Sequence, residues 1–558
     1  MMEANNRAFR RLVSDYLLER DAFFPSQATF LGLPGHDDKL ESLDRDNISQ
    51  FLSALSKLSL RLDQLNPEEL SLLEKMESAL FRSEMDSLTR QLTVQGVWKR
   101  DSAAYVETAL FGCYLLLTRD DRPLEDRLEM AASRLRQIPR LLGEAGRNLS
   151  NPPLIFTDLA IEMTSQGIDF LGEFLAPYLD RAGNPLRKAV EKGAEEAIRA
   201  FQGYLDYLKT ELHPRSTGSV AIGEELFCRI LREDHAIEHG CQEIRELGAE
   251  FCRESLAALE AAAREIEPGK PWWEVLEKLR SHAPESHQLM DVYRSEIAKA
   301  RAFVLERDLV GIPVEESLEV VETPRYERAV TPYAAYIPPP PYSRKQLGEF
   351  WVTPVSPALD DSARSALLKE HSYFNIPVVA LHEAYPGHHL QQIYASILKS
   401  DILKRAACTV FVEGWAFYCE ELMGQSGFYP DRRYEIFQLK DQYWRAIRVL
   451  IDVGLHTGEM TLSEAVELLV GKVYMPRDCA IAEVNRYARD PTQPLSYFIG
   501  KKEIHDLRRK YEAKHGKDFS LRRFHQNLLA WGSVPPRYLE MMFSVGDRNS
   551  SLEEAASS

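Results

Sequence analysis

Apolar residues recur at intervals of three and four through most of this chain, and that spacing constrains its fold more than any other feature. Val190, Ala194, Ile198, Phe201, Leu205 and Leu208 mark one stripe, and Ile244, Leu247, Phe251, Leu256, Leu259 and Ala263 another. A period near 3.6 gathers each set on one face of an α-helix, and that face must be covered by other helices. The stripes stop where Gly or Pro joins polar residues, at 181–185 (RAGNP), 213–223 (HPRSTGSVAIG) and 268–271 (PGKP). The texture changes once, over 309–357, which turns rich in Val, Thr, Tyr and Pro and includes four prolines at 338–341 and FWVTP at 350–354. Such runs suit short extended strands. The expectation is a mainly α fold, a large multi-helix body with a small β element ahead of the motif at 381–390. Phe350 and Trp351 are then candidates for a substrate-side wall, with a proline-rich structural crossover as the competing account. At 558 residues the chain has room for lobes over 1–215 and 216–558, or for one continuous body.

A formal net charge of −17 with no long basic run argues against nucleic acid or an anionic membrane as the main partner. The seven cysteines (Cys113, Cys228, Cys241, Cys252, Cys408, Cys419 and Cys479) are scattered and include no CxxC pair. That pattern suits reduced thiols in a cytosol rather than a disulfide framework. The opening segment MMEANNRAFRRLVSDYLLER has no apolar core of the signal-peptide kind and reads as an amphipathic helix. The longest apolar stretch, near 110–117, is too short to span a bilayer. A cytoplasmic protein, monomer or homodimer, is expected.

Chemistry is concentrated in LHEAYPGHHL, 381–390. His382 followed by Glu383 sets a metal ligand beside a general base, as in HExxH, where two histidines four apart share a helical face. Here the fourth position after His382 is Pro386, and the next histidines, His388 and His389, come six and seven residues on. On an unbroken helix at about 100° per residue, position i+6 points roughly 120° away from i and i+7 returns to within roughly 20° of it, which favours His389. Pro386 and Gly387 work against an unbroken helix. A bulge of two extra residues would instead bring His388 into the i+4 role.

A second block, TVFVEGWAFYCEEL at 409–422, sets Glu413, Phe417 and Glu420 on one helical face. Carboxylates directed at a core need partners, and a metal ion with its histidines would supply them. Two histidines and one Glu, with a position left for water, form the ligand set of zinc peptidases. In that scheme Glu413 is the third ligand, and Glu420 holds a ligand histidine through its outer nitrogen. Ordinary salt bridges are the competing account for both.

These motifs resemble a known family. HEAYPGHHLQ followed by EGWAFYCEEL is similar to the bacterial family designated domain of unknown function 885, whose members carry HExxPGHH and EGWAxYxE segments. FFPSQATFLGLPGHDDKL near the start, DVGLHTGEMTLSEAVELL from Asp452 and EVNRYARDPTQPLSYFIGKKEIHDLR from Glu483 resemble that family's recurring segments. The resemblance therefore runs nearly end to end, and it implies a large, mainly helical fold with metallopeptidase activity. A more distant similarity is to thimet oligopeptidase-like enzymes, which carry HEFGHALH and FVExPSQ; GHHLQ resembles the first and FVEGWAF the second. It implies an oligopeptidase-like body with a cleft, puts His388 on the second ligand and Glu413 on the third, and leaves His389 as an alternative ligand or a neighbour of the ligands. It also implies Tyr497 as donor to the reaction's oxyanion. Tyr487 and His456 are the next candidates, and Arg486 could bind a substrate carboxylate.

The resulting expectation is one Zn2+ per chain on His382, His388 and Glu413, lowering the pKa of a bound water from ~15.7 toward ~7. Glu383 would take that water's proton and pass it to the leaving amine of a short peptide. Two other classes share the ligand set: a non-catalytic scaffold, with or without metal, and a metal-dependent amidase or oxygenase acting on a non-peptide substrate. A base beside a ligand histidine favours hydrolysis over both.

Overall fold

Helices form where the apolar stripes predict them. The helix Asn184–Tyr207 buries Val190, Ala194, Ala197, Phe201 and Tyr204. The helix Cys241–Ile266 buries Ile244, Gly248, Ser255, Leu259, Ala262 and Ala263. Ile198, Leu205, Leu247, Phe251 and Leu256 are half-buried, so each buried face is rotated slightly from the stripe of large residues. Small residues such as Ala197 and Gly248 take the closest contacts, and an apolar count overlooks them. The three expected breaks all separate helices. This computed structural model describes residues 2–119, 122–313, 316–324, 327–328, 331, 333–356 and 359–543. Among them the fold is mainly α with one small sheet. No described helix is long and apolar enough to cross a membrane.

The chain forms two compact units that divide between Val220 and Ala221, against expected lobes of 1–215 and 216–558. The first unit also takes in short returns around 327–328 and at Tyr342–Lys345, which no pattern in the sequence signals. One tie of the second return is the Tyr342 N–H, which donates to the Leu31 carbonyl at 3.1 Å. Within this unit the helices Ser102–Thr118, Leu124–Asn148, Leu154–Phe174 and Asn184–Tyr207 pack on one another. Ser102–Thr118 is apolar on nearly every side and is accordingly buried almost throughout. Leu124–Asn148 is amphipathic and buries Leu128, Ala131, Leu135, Ile138 and Leu142.

In the second unit the helix Cys241–Ile266 lies along Arg432–Thr457, and Thr409–Gln425 lies along Gln493–His515. The latter pair meets at glycines. A Cβ on Gly414 would come within 2.4 Å of the Gly500 Cα, and one on Gly500 within 1.8 Å of the Val410 carbonyl oxygen. This backbone-to-backbone approach sets Glu413 beside the first turns of the facing helix. The texture change at 309–357 contains a three-stranded sheet: β1 (Glu316–Glu322), β2 (Ala334–Ile337) and β3 (Gln346–Val352), in the order β1-β3-β2. β1 runs parallel to β3 with Glu316 opposite Gln346, and β2 runs antiparallel to it with Tyr336 opposite Phe350. β2 is therefore an edge strand.

Candidate metal centre

The helix that carries His382, Ile376–Glu383, stops where the sequence brings in Tyr385, Pro386 and Gly387, and a new helix starts at His388. The hydrogen bonds across the break show how the chain is continued. The Gly387 N–H donates to the Leu381 carbonyl at 3.1 Å and the Leu390 N–H to the Ala384 carbonyl at 3.4 Å, each spanning six residues where an α-helix spans four. Two residues are thus accommodated in the turn, and His388 comes round to the side of His382. Only glycine fits at 387, because a Cβ there would sit 1.8 Å from the His382 carbonyl oxygen. Trp415 secures the turn from the facing helix, its indole N–H donating to the Pro386 carbonyl at 2.8 Å.

Donor atoms of His382, His388 and Glu413 all lie within 4.8 Å of one another. Glu413 Oε2 is 3.9 Å from His382 Nε2 and 3.4 Å from His388 Nε2, and the two imidazoles stand nearly perpendicular. His382 Nδ1 meets Glu420 Oε1 at 2.8 Å, and with the proton on that side Nε2 would present a lone pair to the cluster. Glu420 is fully buried and pairs with Arg445 at 3.1 Å. Burial pushes the Glu420 carboxyl up to about 7 against the pull of Arg445. His382 is held well below its ordinary value, first by burial and then by the nearby His388 and Arg445. Burial would also depress His388, but Glu413 and Glu383 outweigh it and hold that imidazole above its usual value. Burial disfavours the Glu413 anion, yet the bond and charge of His388, with His382, bring its carboxyl down to about 2. Glu383 is raised to about 7 by burial, opposed by His388, and accepts the Tyr336 backbone N–H.

These residues fit a single divalent ion. Two imidazoles and a carboxylate converge, His382 is neutral as a ligand must be, and buried Glu413 Oε2 has only long contacts to those imidazoles, 3.4 Å to His388 and 3.9 Å to His382. A buried carboxylate oxygen without a close donor is costly unless a cation meets it.

The other candidates fall into two groups. Tyr497 belongs to the centre: its ring lies near-parallel to His382 with centroids 6.3 Å apart, and its hydroxyl accepts from Gln493 Nε2 at 3.3 Å. Arg486 lies one link away, donating to Glu483 at 2.8 Å and to Gln493 at 2.9 Å, so its fork already serves the protein. His389 is not in the ligand cluster. Its Nε2 meets Glu316 at 2.8 Å and its Nδ1 meets the Tyr336 hydroxyl at 3.0 Å, so both nitrogens are used in fastening the sheet to the helix. The expectations for Tyr487 and His456 are corrected too. The Tyr487 hydroxyl accepts from Arg448 at 2.8 Å and Trp444 at 3.1 Å, and His456 Nε2 contacts the Tyr487 carbonyl at 3.0 Å, both side chains fully buried in core contacts. Phe350 and Trp351 do not wall a substrate site. They lie buried on central strand β3, Phe350 against Tyr293 and Trp351 with its indole bonded to Glu349.

Sequence reasoning passed over Gln493, Arg445, Tyr336 and Glu316. Gln493 links Glu413 (3.5 Å) to Tyr497, and its place one turn before Tyr497 was a usable signal. Arg445 and Glu316 carry none, because each meets its partner from a distant segment. A second group of donor types, Glu224, Cys228 and Cys241, also gathers within 4.8 Å, with the two sulfurs 2.8 Å apart.

Solved structures share this fold, two of them described as candidate lipoproteins. A candidate lipoprotein of unknown function from Shewanella oneidensis superposes with a TM-score of 0.79 at 23% identity, covering 96% of this chain and 99% of that one. A candidate lipoprotein from Colwellia psychrerythraea gives a TM-score of 0.79 at 19% identity with the same coverage. No curated protein matches the chain. The family model that describes bacterial proteins of unknown function under the designation DUF885 matches residues 25–542, and the chain belongs to that family.

Proposed function

We propose that this protein is a metal-dependent hydrolase that cleaves peptide bonds of short peptides. The observation that carries the reading is the convergence of donor atoms of His382, His388 and Glu413 within 4.8 Å of one another, with Glu383 next in the chain to one ligand. A divalent ion held there, zinc being the one this donor set suits, would polarise a carbonyl and acidify water.

The chain's own residues supply the rest. Glu383, its carboxyl raised to about 7, is matched to taking a proton near neutral pH and returning it to a leaving amine. The Tyr336 N–H holds that carboxylate in place. Glu420 fixes the ring plane and tautomer of His382. The Tyr497 hydroxyl, already accepting from Gln493, has its own proton to donate to negative charge that develops on a substrate oxygen. Arg445 and Arg448 lie over the Tyr497 ring at 5.2 and 4.9 Å and favour such charge nearby.

The test is metal analysis of the purified protein together with cleavage of a peptide library by wild type and Glu383→Gln. One equivalent of metal in both proteins, with hydrolysis about 10²- to 10⁴-fold slower in the variant, is expected. Cleavage that persists undiminished in the variant, or wild-type protein that takes up no metal at this site, overturns the proposal.

A further inference from the structure

A cavity of about 460 Å³ opens in the second unit, with Trp272, Trp273, Trp444, Tyr333, Tyr474 and Glu483 among its lining residues. Its size lies within the ~300–1,000 Å³ range of small-ligand sites, and its wall is predominantly aromatic and aliphatic. At its mouth Trp273 and Tyr474 stack with centroids 4.5 Å apart, and both stay substantially exposed, 37% and 44%. Trp272 meets the Tyr474 ring edge-on at 5.3 Å. Tyr474 follows the irregular turn Leu469–Val473 and has φ 57°, a left-handed backbone that a bulky residue adopts only under strain. The fold thus holds a large aromatic ring partly in water at an unfavourable backbone position.

The charges around the cavity are largely matched within the protein. Glu370 pairs with Arg280, Glu277 with Lys369 and Lys440 with Asp441, while Glu483 receives Arg448 at 3.1 Å and Arg486 at 2.8 Å. A wall of aromatic faces with its charges already paired favours an apolar ring or branched aliphatic group over an ion.

Two separate routes connect this cavity to the candidate metal centre. Glu483 holds Arg486, Arg486 holds Gln493, and Gln493 reaches Glu413 at 3.5 Å. Tyr333, on the cavity wall, leads directly into β2, whose Tyr336 N–H meets Glu383. The Tyr333 carbonyl accepts from the Thr353 N–H at 2.8 Å, so by alternation Ala334 and Tyr336 turn their backbone groups to the free edge of the sheet. From Tyr333 to Tyr336 is three extended residues, ~10 Å.

We infer that this cavity is a specificity subsite that receives an aromatic or bulky aliphatic side chain of the peptide, two or three residues from the bond that is cleaved. This rests on the peptidase reading for the word cleaved, but the cavity's preference for such a side chain stands on its own geometry.

The experiment has two arms. In the first, kcat/KM is measured for short blocked peptides that carry Phe, Leu, Ala or Asp at each position in turn. Wild type is expected to favour Phe or Leu over Ala by at least tenfold at one position two or three residues from the scissile bond. Trp273→Ala and Tyr474→Ala are each expected to bring that ratio within twofold, mainly through KM. In the second, a Phe-containing peptide is titrated into Glu383→Gln protein by tryptophan fluorescence, with and without Tyr474→Ala. At least tenfold weaker binding on Tyr474→Ala supports the subsite even where wild type cleaves no peptide, a result that overturns the peptidase reading alone. Cleavage without preference at that position, a preference that survives both substitutions, or binding unchanged by Tyr474→Ala overturns the subsite and leaves the peptidase reading standing.

Discussion

The two sides of the helix His388–Ser396 make opposite use of the same residue type. On one side His388 faces His382 and Glu413, where a buried carboxylate oxygen has no contact closer than 3.4 Å to either imidazole. On the other, His389 spends one nitrogen on Glu316 and the other on Tyr336, and Glu316 is further held by Arg301 at 3.0 Å and by Tyr385. One region is polar and incomplete, the other polar and closed. A closed network stiffens the fold and offers no donor atom to a ligand, whereas an incomplete one is tolerated only where something else completes it. Adjacent positions in the chain therefore divide into a ligand and a fastening.

Substitutions that exchange these roles would break the comparison. The largest effect is expected from His388→Ala, which should take bound metal from one equivalent to none and slow peptide hydrolysis by roughly 10³-fold or more, while His389→Ala keeps its metal. Metal analysis on the two variants decides it, and a reversed result would move the second ligand to His389. Gly387→Ala comes next. Its methyl group has no room beside the His382 carbonyl, and a loss of about 3 kcal/mol in denaturant unfolding is expected together with weakened metal uptake. Stability at the wild-type level would mean that the turn at 384–387 is not built as described. His389→Ala should cost about 2 kcal/mol of stability, since it strips buried hydrogen bonds from Glu316 and Tyr336. A neutral result there would make the fastening incidental. The smallest effect is expected from Glu420→Gln, which retains the shape but removes the charge beside His382 and should weaken metal affinity roughly tenfold in a competition titration. No change in affinity would reduce Glu420 to a partner of Arg445.

The centre's ingredients were legible in the sequence wherever they are local. His382 with Glu383, and Glu413 with Glu420 at helical spacing, announce themselves by interval alone, and the helix breaks at 181–185, 213–223 and 268–271 follow from Gly and Pro. Geometry from an unbroken helix, by contrast, favours His389. Pro386 and Gly387 argue for a two-residue bulge that brings in His388 instead, and backbone hydrogen bonds spanning six residues within 381–390 form it. Tyr487 and His456 follow Tyr497 as candidates in the sequence, and both are absorbed by core partners from other helices.

Taken alone, the sequence determined the helical character of the chain, the interruption of the HE helix by Pro386 and Gly387, and the residue types able to hold a metal, because these depend on periodicity and backbone freedom within a few neighbours. The tertiary structure decided which histidine faces Glu413, that Arg445 stands behind Glu420, that Phe350 and Trp351 lie inside the sheet, and that Cys228 and Cys241 meet. Each of those outcomes is set by how distant helices and strands pack, and packing distributes donors and partners between segments that share no local pattern.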